Sequence, residues 1–600
     1  HRSLHIVFAF TLLFLLYPAS KTPLVKGKAN FFLFNALFVI LSIIAFGYIT
    51  YSYRLIPSRM ILTQPLSALE MLLGVLAILL VLEAARRTVG LSLVIVAAVF
   101  LLYSYIPLGH RGWSPTQIID YMYFSQEGIF GIPIGVTSTY VFLFIIFGAF
   151  LKRSGATQFF IDLATSLAGR ASGGPAKACV VANALLGTLS GSAVGDTYIT
   201  GSITIPLMKK LRYDPTFAGA VAATAATGAQ IMPPVLGAAA FVMSELIGIP
   251  YARICIAAAL PAILYFLAVG LMVHFEGKRK GLKGLPKEEM PELRRVLGYA
   301  YLFTPILVII YMLLSGYSLS LTSFIAIIFT IFISLLRKAT RITVKGLLNA
   351  LEEGAKDVLM ISSAAACAGL IIGAISLSGA GIMFTSYITS YFQGQILLAL
   401  FLIMVAAIIL GMGMPTTPAY IMVSALGAPA LVSLGLPLLS AHMFIFYFAC
   451  ISMITPPVAM AAYAGAQIAG AGMMRTGVVA TKLALTSFIV PYMFVLEPAL
   501  LMRGPVELII WRAGISAIGI VAFTAGVQGW LLSKAGVLQR IILVVAGFVL
   551  LYPRFEADLV GLGLMGIILV TQKISQRDAN RMGQSYTGAI KPWNRKVAFR

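Results

Sequence analysis

Two short runs of small and hydroxyl-bearing residues carry the chemistry this sequence offers. The first is Ser190-Gly191-Ser192-Ala193-Val194-Gly195-Asp196; the second is Gly411-Met412-Gly413-Met414-Pro415-Thr416-Thr417-Pro418. Hydroxyls, a carboxylate and freed backbone carbonyls are hard oxygen donors, which suit a small cation such as Na⁺. Neither run holds His or Cys, which argues against a transition metal. The expected cation ligands in the first run are Ser190, Gly191, Ser192 and Asp196, facing Thr227 and Pro233. In the second they are Gly413, Thr416 and Thr417, facing Thr455 and Pro456. Serine and threonine inside helices commonly bond back to their own backbone, so each hydroxyl also has a purely structural reading. The side chains that would hold a substrate are not legible; it would lie between the two runs.

Asp196 is the most informative charge. A carboxylate in an apolar segment is costly and marks a functional site by default. Three roles are open: charge balance for a cation, capping of the following helix, or proton carriage, with the first two ahead of the third. Asp357 and Glu245 fall near segment ends and are expected at an interface. Glu70 and Glu497 fall deeper and are expected to have partners, while His442 is expected to be structural.

The two runs occupy matched places in the chain. Each interrupts an apolar segment, and the apolar segment after it breaks at a proline pair, Pro233-Pro234 or Pro456-Pro457. Pro206 and Pro233 are 27 residues apart, as are Pro429 and Pro456. Gly191 and Tyr198 recur at an offset of 222 as Gly413 and Tyr420, and the proline pair at 223. Ser154-Gly155-Ala156 recurs at 224 as Ser378-Gly379-Ala380. Two copies of one unit, each a hairpin with a broken tip followed by a broken helix, are the sequence sign of a transporter built from repeats. In hydrocarbon every backbone N–H and C=O needs a partner, so such breaks are tolerated only inside protein or beside water. Freed carbonyls and half-helix N-termini then offer sites for a cation and an anion. A proline kink would account for one break; four at matched spacing favour the repeat.

The 600 residues are 60% hydrophobic and 10% charged. Many stretches reach the roughly 17–25 apolar residues that span a bilayer. This predicts an all-α polytopic membrane protein. The expected spans are 4–19, 31–53, 66–85, 91–106, 134–151, 215–247 (broken), 252–274, 298–314, 319–336, 356–378, 440–470 (broken), 480–500, 506–532, 537–552 and 557–572. Residues 175–208 and 395–428, broken in the middle, are expected as re-entrant hairpins, with interfacial helices before them at 155–168 and 383–393. Cys179, Cys255, Cys367 and Cys450 all lie in apolar segments, far apart, as packing residues.

Charge sets the orientation. The net charge of +23 sits in short loops, as the positive-inside rule requires, so it is not a nucleic-acid footprint. Lys152, Arg153, Arg170, Lys177, Lys209, Lys210 and Arg212 flank the first hairpin, whereas 357–474 contains no Lys or Arg. The first hairpin is therefore expected at the cytoplasmic side and the second at the outer side. Five spans lie between residues 134 and 356, and an odd number inverts the second copy. Residues 107–133 would be a non-crossing outer segment, with Arg86, Arg87, Lys21, Lys26 and Lys28 inside and His1 outside. A start outside, on a short apolar segment and without Met, predicts a further helix upstream.

At Ser190–Pro206, Met232-Pro233-Pro234, Gly411–Tyr420 and Thr455-Pro456-Pro457 the chain resembles the membrane permeases of tripartite ATP-independent periplasmic (TRAP) transporters. It is most similar to fused permeases that work with a TAXI-type extracytoplasmic binding protein. The resemblance is strong over about 134–500, and 1–106 resembles the family's small permease subunit fused in front. It implies an elevator mechanism, in which hairpins and broken helices move against a scaffold. It further implies sodium coupling, with Na⁺ held where tips meet broken helices, and substrate delivery by a separate periplasmic protein. The second tip departs from the dicarboxylate-type permeases, so their substrate contacts do not carry over.

The resulting division is 1–133, small-subunit-like helices and connecting arm; 134–297, repeat 1; 298–355, connecting helices; 356–502, repeat 2; 503–572, a three-helix extension; and 573–600, a basic cytoplasmic tail. The expected function is sodium-coupled import of a small organic anion, a carboxylate, across a bacterial or archaeal inner membrane. The alternative is an elevator-type anion transporter that needs no binding protein. A membrane-embedded enzyme would need a cluster of His, Asp or Glu at one face, and His1, His5, His110, His274 and His442 are scattered. A channel would normally show a repeated polar lining helix, and a nucleotide-driven pump a G-x-x-x-x-G-K-[ST] loop; the sequence has neither.

Overall fold

The computed structural model describes residues 1–17, 28–52, 56–107 and 112–589. Lys21, Lys26, His110 and tail residues 590–600 lie outside the described residues. Among the described residues the regular structure is helical, apart from an isolated bridge between Trp530 and Lys534. Among the described residues eight helices are long and apolar enough to cross a bilayer, or nine if Lys287–Leu297 and Ala300–Leu314, bent by 70°, form one span. Other expected spans are shorter helices, among them Arg2–Leu16, Leu91–Tyr105 and Leu319–Ser334. At about 1.5 Å per residue these fall short of a hydrocarbon core about 30 Å thick.

Three expected spans differ most in their bounds, each for a local reason. The span expected at 356–378 begins at Val344 and runs to Ser378. The added stretch 344–355 carries Lys345, Glu352 and Glu353, which an apolar-run reading excludes. Glu352 and Lys356 pair at 2.6 Å across one helical turn, both side chains exposed. The span expected at 480–500 starts after Gly472, as Met473–Ala484, and continues through a tight turn into Val490–Leu496. The last helix extends from Phe555 to Ala589, so part of the expected tail is helical.

All four broken segments fold as pairs of half-helices. The first hairpin is Gly174–Leu186 with Ala193–Lys210, and the first broken helix is Pro215–Ala229 with Ala238–Ile247. The second hairpin is Ile396–Gly411 with Thr416–Ser433, and the second broken helix is Leu438–Ile451 with Met460–Ala469. Local chemistry sets the starts: Asp214 accepts from Phe217 N at 3.0 Å and Pro215 takes the first helical position. The expected interfacial helices are Ala156–Ala168 and Ala380–Phe392.

The halves exchange partners. Ala193–Lys210 packs on Met460–Ala469, and Ala238–Ile247 packs on Thr416–Ser433. Pro215–Ala229 also packs on Met460–Ala469, where the backbones touch at Gly219 and Gly465. A Cβ at Gly219 would lie 2.7 Å from Gly465 O, so neither position has room for a side chain. Tyr198 donates to Gln467 Oε1 (2.6 Å) and Lys209 to Ala469 O (2.9 Å) along the same seam.

Two further bodies lean on this assembly. The N-terminal helices Arg2–Leu16, Ala68–Thr88 and Leu91–Tyr105 share a hydrophobic core with Leu359–Leu377 of the long helix. Val506–Gln528, Val537–Leu550 and Phe555–Ala589 pack in sequence, and the first of them rests on Tyr251–Arg279. Glu497 meets Arg512 at 3.0 Å, and Arg512 also meets buried Asp558 at 3.0 Å. Glu70 pairs with Arg59 at 3.0 Å, but it is not deep. It is the third helical residue and forms a capping box with Ser67.

Candidate functional site

Each tip closes on the break of the helix that follows it. Gly191 has φ +59° and Gly413 +69°, the left-handed backbone that favours glycine. A Cβ at Gly191 would collide with the Leu236 carbonyl, and one at Gly413 would lie 2.9 Å from Val458 Cγ1. Gly413 N donates to Val458 O at 3.1 Å. Leu236 and Val458 are themselves 222 residues apart, the same offset as the glycines. Matched tips therefore meet matched breaks.

Much of the carbonyl chemistry expected at the breaks is satisfied within the protein. The Tyr251 hydroxyl donates to Pro234 O (3.1 Å) and to Val235 O, and Cys255 Sγ to Pro234 O (3.3 Å). In the second copy the Tyr463 hydroxyl donates to Pro457 O, and Thr481 Oγ1 to Ile454 O (3.1 Å). Thr227 is fully buried and donates to Ala223 O (2.9 Å), while Thr455 donates to Ile451 O (3.0 Å). For these two threonines the backbone alternative is the one observed. Pro233 and Pro456 sit half-buried at their breaks, and Thr417 is half-buried beside Thr416.

At the first tip the helix cap is Ser192, whose Oγ accepts from Gly195 N at 3.3 Å. Asp196 lies one turn in and is not the cap, which corrects that reading. The four-residue run from Ser192 places a hydroxyl, rather than the carboxylate, over the free N–H groups. Ser190 Oγ donates to Asp196 Oδ1, and Asp196 is fully buried. Its Oδ2 has no partner among the described residues. A buried carboxylate oxygen without a donor, beside serine hydroxyls, is a donor set that fits a hard cation.

Gln230, which is not among the residues expected from the sequence, joins the tips. Its Oε1 accepts from Thr416 Oγ1 (2.9 Å), and its Nε2 donates to Gly191 O (3.4 Å). Its own carbonyl accepts from Gly237 N (2.8 Å), and the residue is 5% exposed. Its signal in the sequence was an amide just before a proline pair in an otherwise apolar stretch. Around it lie helix N-termini at Ala238 and Thr416, whose flanking residues Gly237 and Pro415 supply no side-chain cap. Such ends offer free N–H groups and a positive dipole end to an anion. Among the described residues no hydrogen bond runs from either tip to Thr227, Pro233, Thr455 or Pro456.

Among the described residues one hydrogen bond reaches the second tip from outside the repeats, and Met414 packs in the core of the N-terminal helices. Ser92, in the first turn of Leu91–Tyr105, donates to Gly413 O. His442 Nδ1 and the Tyr420 hydroxyl are 2.7 Å apart in the core, a structural pairing. Glu245 and Asp357 are exposed, and all four cysteines are buried and free.

Residues 76–509 match the family model described as tripartite ATP-independent periplasmic transporter, DctM component. The chain is similar to the sialic acid TRAP transporter large permease protein SiaM of Vibrio cholerae, 28% identical over 38% of this chain and 50% of that protein. It is also similar to the 2,3-diketo-L-gulonate TRAP transporter large permease protein YiaN of Escherichia coli, 25% identical over 52% of this chain and 74% of that protein. An uncharacterized protein of Sinorhizobium fredii is 22% identical over 65% of this chain and 89% of its own length. The match starts inside Ala68–Thr88, so it takes in the helix that carries Ser92. Membership of this family makes the chain a transporter component and not an enzyme, and implies a periplasmic substrate-binding protein as partner. With a family match over most of its length and at least eight membrane-spanning helices among the described residues, the chain belongs to the DctM family of TRAP permeases, as a multi-pass inner-membrane protein.

Proposed function

We propose that this permease imports a small organic anion, driven by Na⁺, after a TAXI-type binding protein delivers it at the outer face. The observation that carries the reading is the junction at Gln230. There both tips, one break and two uncapped helix N-termini meet at one buried amide. Helix N-termini favour a carboxylate, and the two named relatives are large permeases of sialic acid and 2,3-diketo-L-gulonate TRAP transporters. Na⁺ would be held at the first tip by the oxygens of Ser190, Ser192 and Asp196, and at the second by Gly413, Thr416 and Thr417. The hairpins and broken helices interlock with one another, which suits a body that moves as a unit against the remaining helices. That is an elevator.

Sodium-dependent uptake into proteoliposomes tests the reading. Ser192→Ala and Thr417→Ala should raise the Na⁺ concentration needed for half-maximal uptake by about tenfold, a loss near 1.4 kcal/mol, with unchanged elution on size exclusion. Sodium activation identical to wild type in both variants rejects the assigned ligands. Uptake driven by a proton gradient alone rejects sodium as the coupling ion.

A further inference from the structure

A basic cavity of about 300 Å³ lies away from the tips, where three parts of the chain meet. Tyr251–Arg279 ends there with Arg279 and Lys280, and Met473–Ala484 contributes Arg475 and Lys482 from one face. Gln528, the last residue of Val506–Gln528, closes it. The positive-inside rule places this Lys/Arg-rich end at the cytoplasmic leaflet.

The charges do not cancel. Glu276 meets Arg279 at 2.6 Å and Lys280 at 2.9 Å, so one carboxylate answers two cations. Asp214, the other lining carboxylate, accepts from Phe217 N. Arg475 and Lys482 make no ion pair among the described residues and are exposed on the cavity wall. Beside them Phe217, Val479 and Leu483 give an apolar surface, with Lys280 Nζ 5.7 Å above the Phe217 ring. Gln528 is 3% exposed; its Nε2 donates to Met272 O (3.2 Å), and its Oε1 has no partner.

We propose that this cavity binds the headgroup of an anionic phospholipid of the inner leaflet, a phosphodiester that also carries a free hydroxyl. Arg475 and Lys482 take the phosphate oxygens, the hydroxyl donates to Gln528 Oε1, and Val479 and Leu483 lie along the first methylenes. Basic pockets between spans at the cytoplasmic face are where such headgroups bind. The half-apolar wall favours a lipid over free phosphate. A lipid seated here would touch the repeats, Tyr251–Arg279 and the C-terminal helices at once, which gives that extension a role in holding the assembly together.

The test uses the full-length protein in detergent, with native mass spectrometry and thermal unfolding. Phosphatidylglycerol should be retained and should raise Tm by several degrees, whereas phosphatidylcholine and inorganic phosphate leave Tm unchanged. The Arg475→Gln, Lys482→Gln double variant should lose about tenfold in phosphatidylglycerol affinity, and Lys482→Arg should keep it. Phosphatidylmethanol, equal in charge but without the hydroxyl, should bind more weakly to wild type and equally well to Gln528→Leu. Equal stabilisation by inorganic phosphate would make this a soluble-anion site. Equal retention of phosphatidylcholine, or full retention in a folded double variant, would remove the proposal. If the double variant does not fold, the lipid series on wild type decides alone.

Discussion

At the scale of single residues, Gln230 is the clearest case of one side chain serving several elements. Its amide is the shared partner of Thr416 from one hairpin and Gly191 from the other. Gln230→Leu keeps the volume but leaves a buried hydroxyl and a buried carbonyl without it, at about 1–3 kcal/mol for each group. The variant should fold with a lower Tm and lose most sodium-driven uptake, because the tips no longer share a partner. Scanning fluorimetry and proteoliposome uptake on the same preparation measure both effects. Wild-type uptake at a reduced Tm would leave Gln230 a stability residue only. Asp196 is the complementary case, since one of its oxygens is tied to Ser190 and the other is unanswered.

At the scale of elements, the interlock of the repeats depends on close backbone approach. Pro215–Ala229 and Met460–Ala469 cross at Gly219 and Gly465, and a methyl group at Gly219 would press on the Gly465 carbonyl. Overpacking of this kind costs about 1–3 kcal/mol. Gly219→Ala should therefore lower Tm and broaden the size-exclusion peak. Gly270→Ala in Tyr251–Arg279, where nothing lies within 4 Å, should be neutral or slightly stabilising. Similar Tm values for the two variants would mean that the crossing tolerates separation. The same paucity of side chains lets two half-helices from different repeats lie as neighbours, which a pair of leucine-lined helices could not do at that distance.

At the scale of the whole molecule, the division of labour follows the packing. Hairpins and broken helices form one interlocked body. The N-terminal helices grip the long helix Val344–Ser378, and the C-terminal helices brace Tyr251–Arg279. The two sides touch at the tip itself, where Ser92 donates to Gly413 O. A permease of this family works with a periplasmic partner, so uptake should need that protein in the assay. Proteoliposomes with the permease alone should show at most a small fraction of the rate seen when the loaded binding protein is added outside. A full rate without it would favour the elevator transporter that acts unaided.

The sequence by itself determined the class of the protein and the positions of its breaks. Composition forces helices into lipid, and glycine and proline at matched offsets interrupt them, so the half-helices fall close to where the pattern puts them. Tip glycines were legible for the same reason, since a broken tip needs left-handed backbone. Only the tertiary structure decided which polar groups answer which. Thr227 and Thr455 turned to their own helices, Ser192 took the cap in place of Asp196, and Tyr251 and Tyr463 satisfied the proline carbonyls. One partner of Gln230, Thr416, lies 186 residues away. Helix propensity and hydropathy act over a few turns and can be read along the chain, whereas a hydrogen bond between distant residues exists only once packing has brought them together.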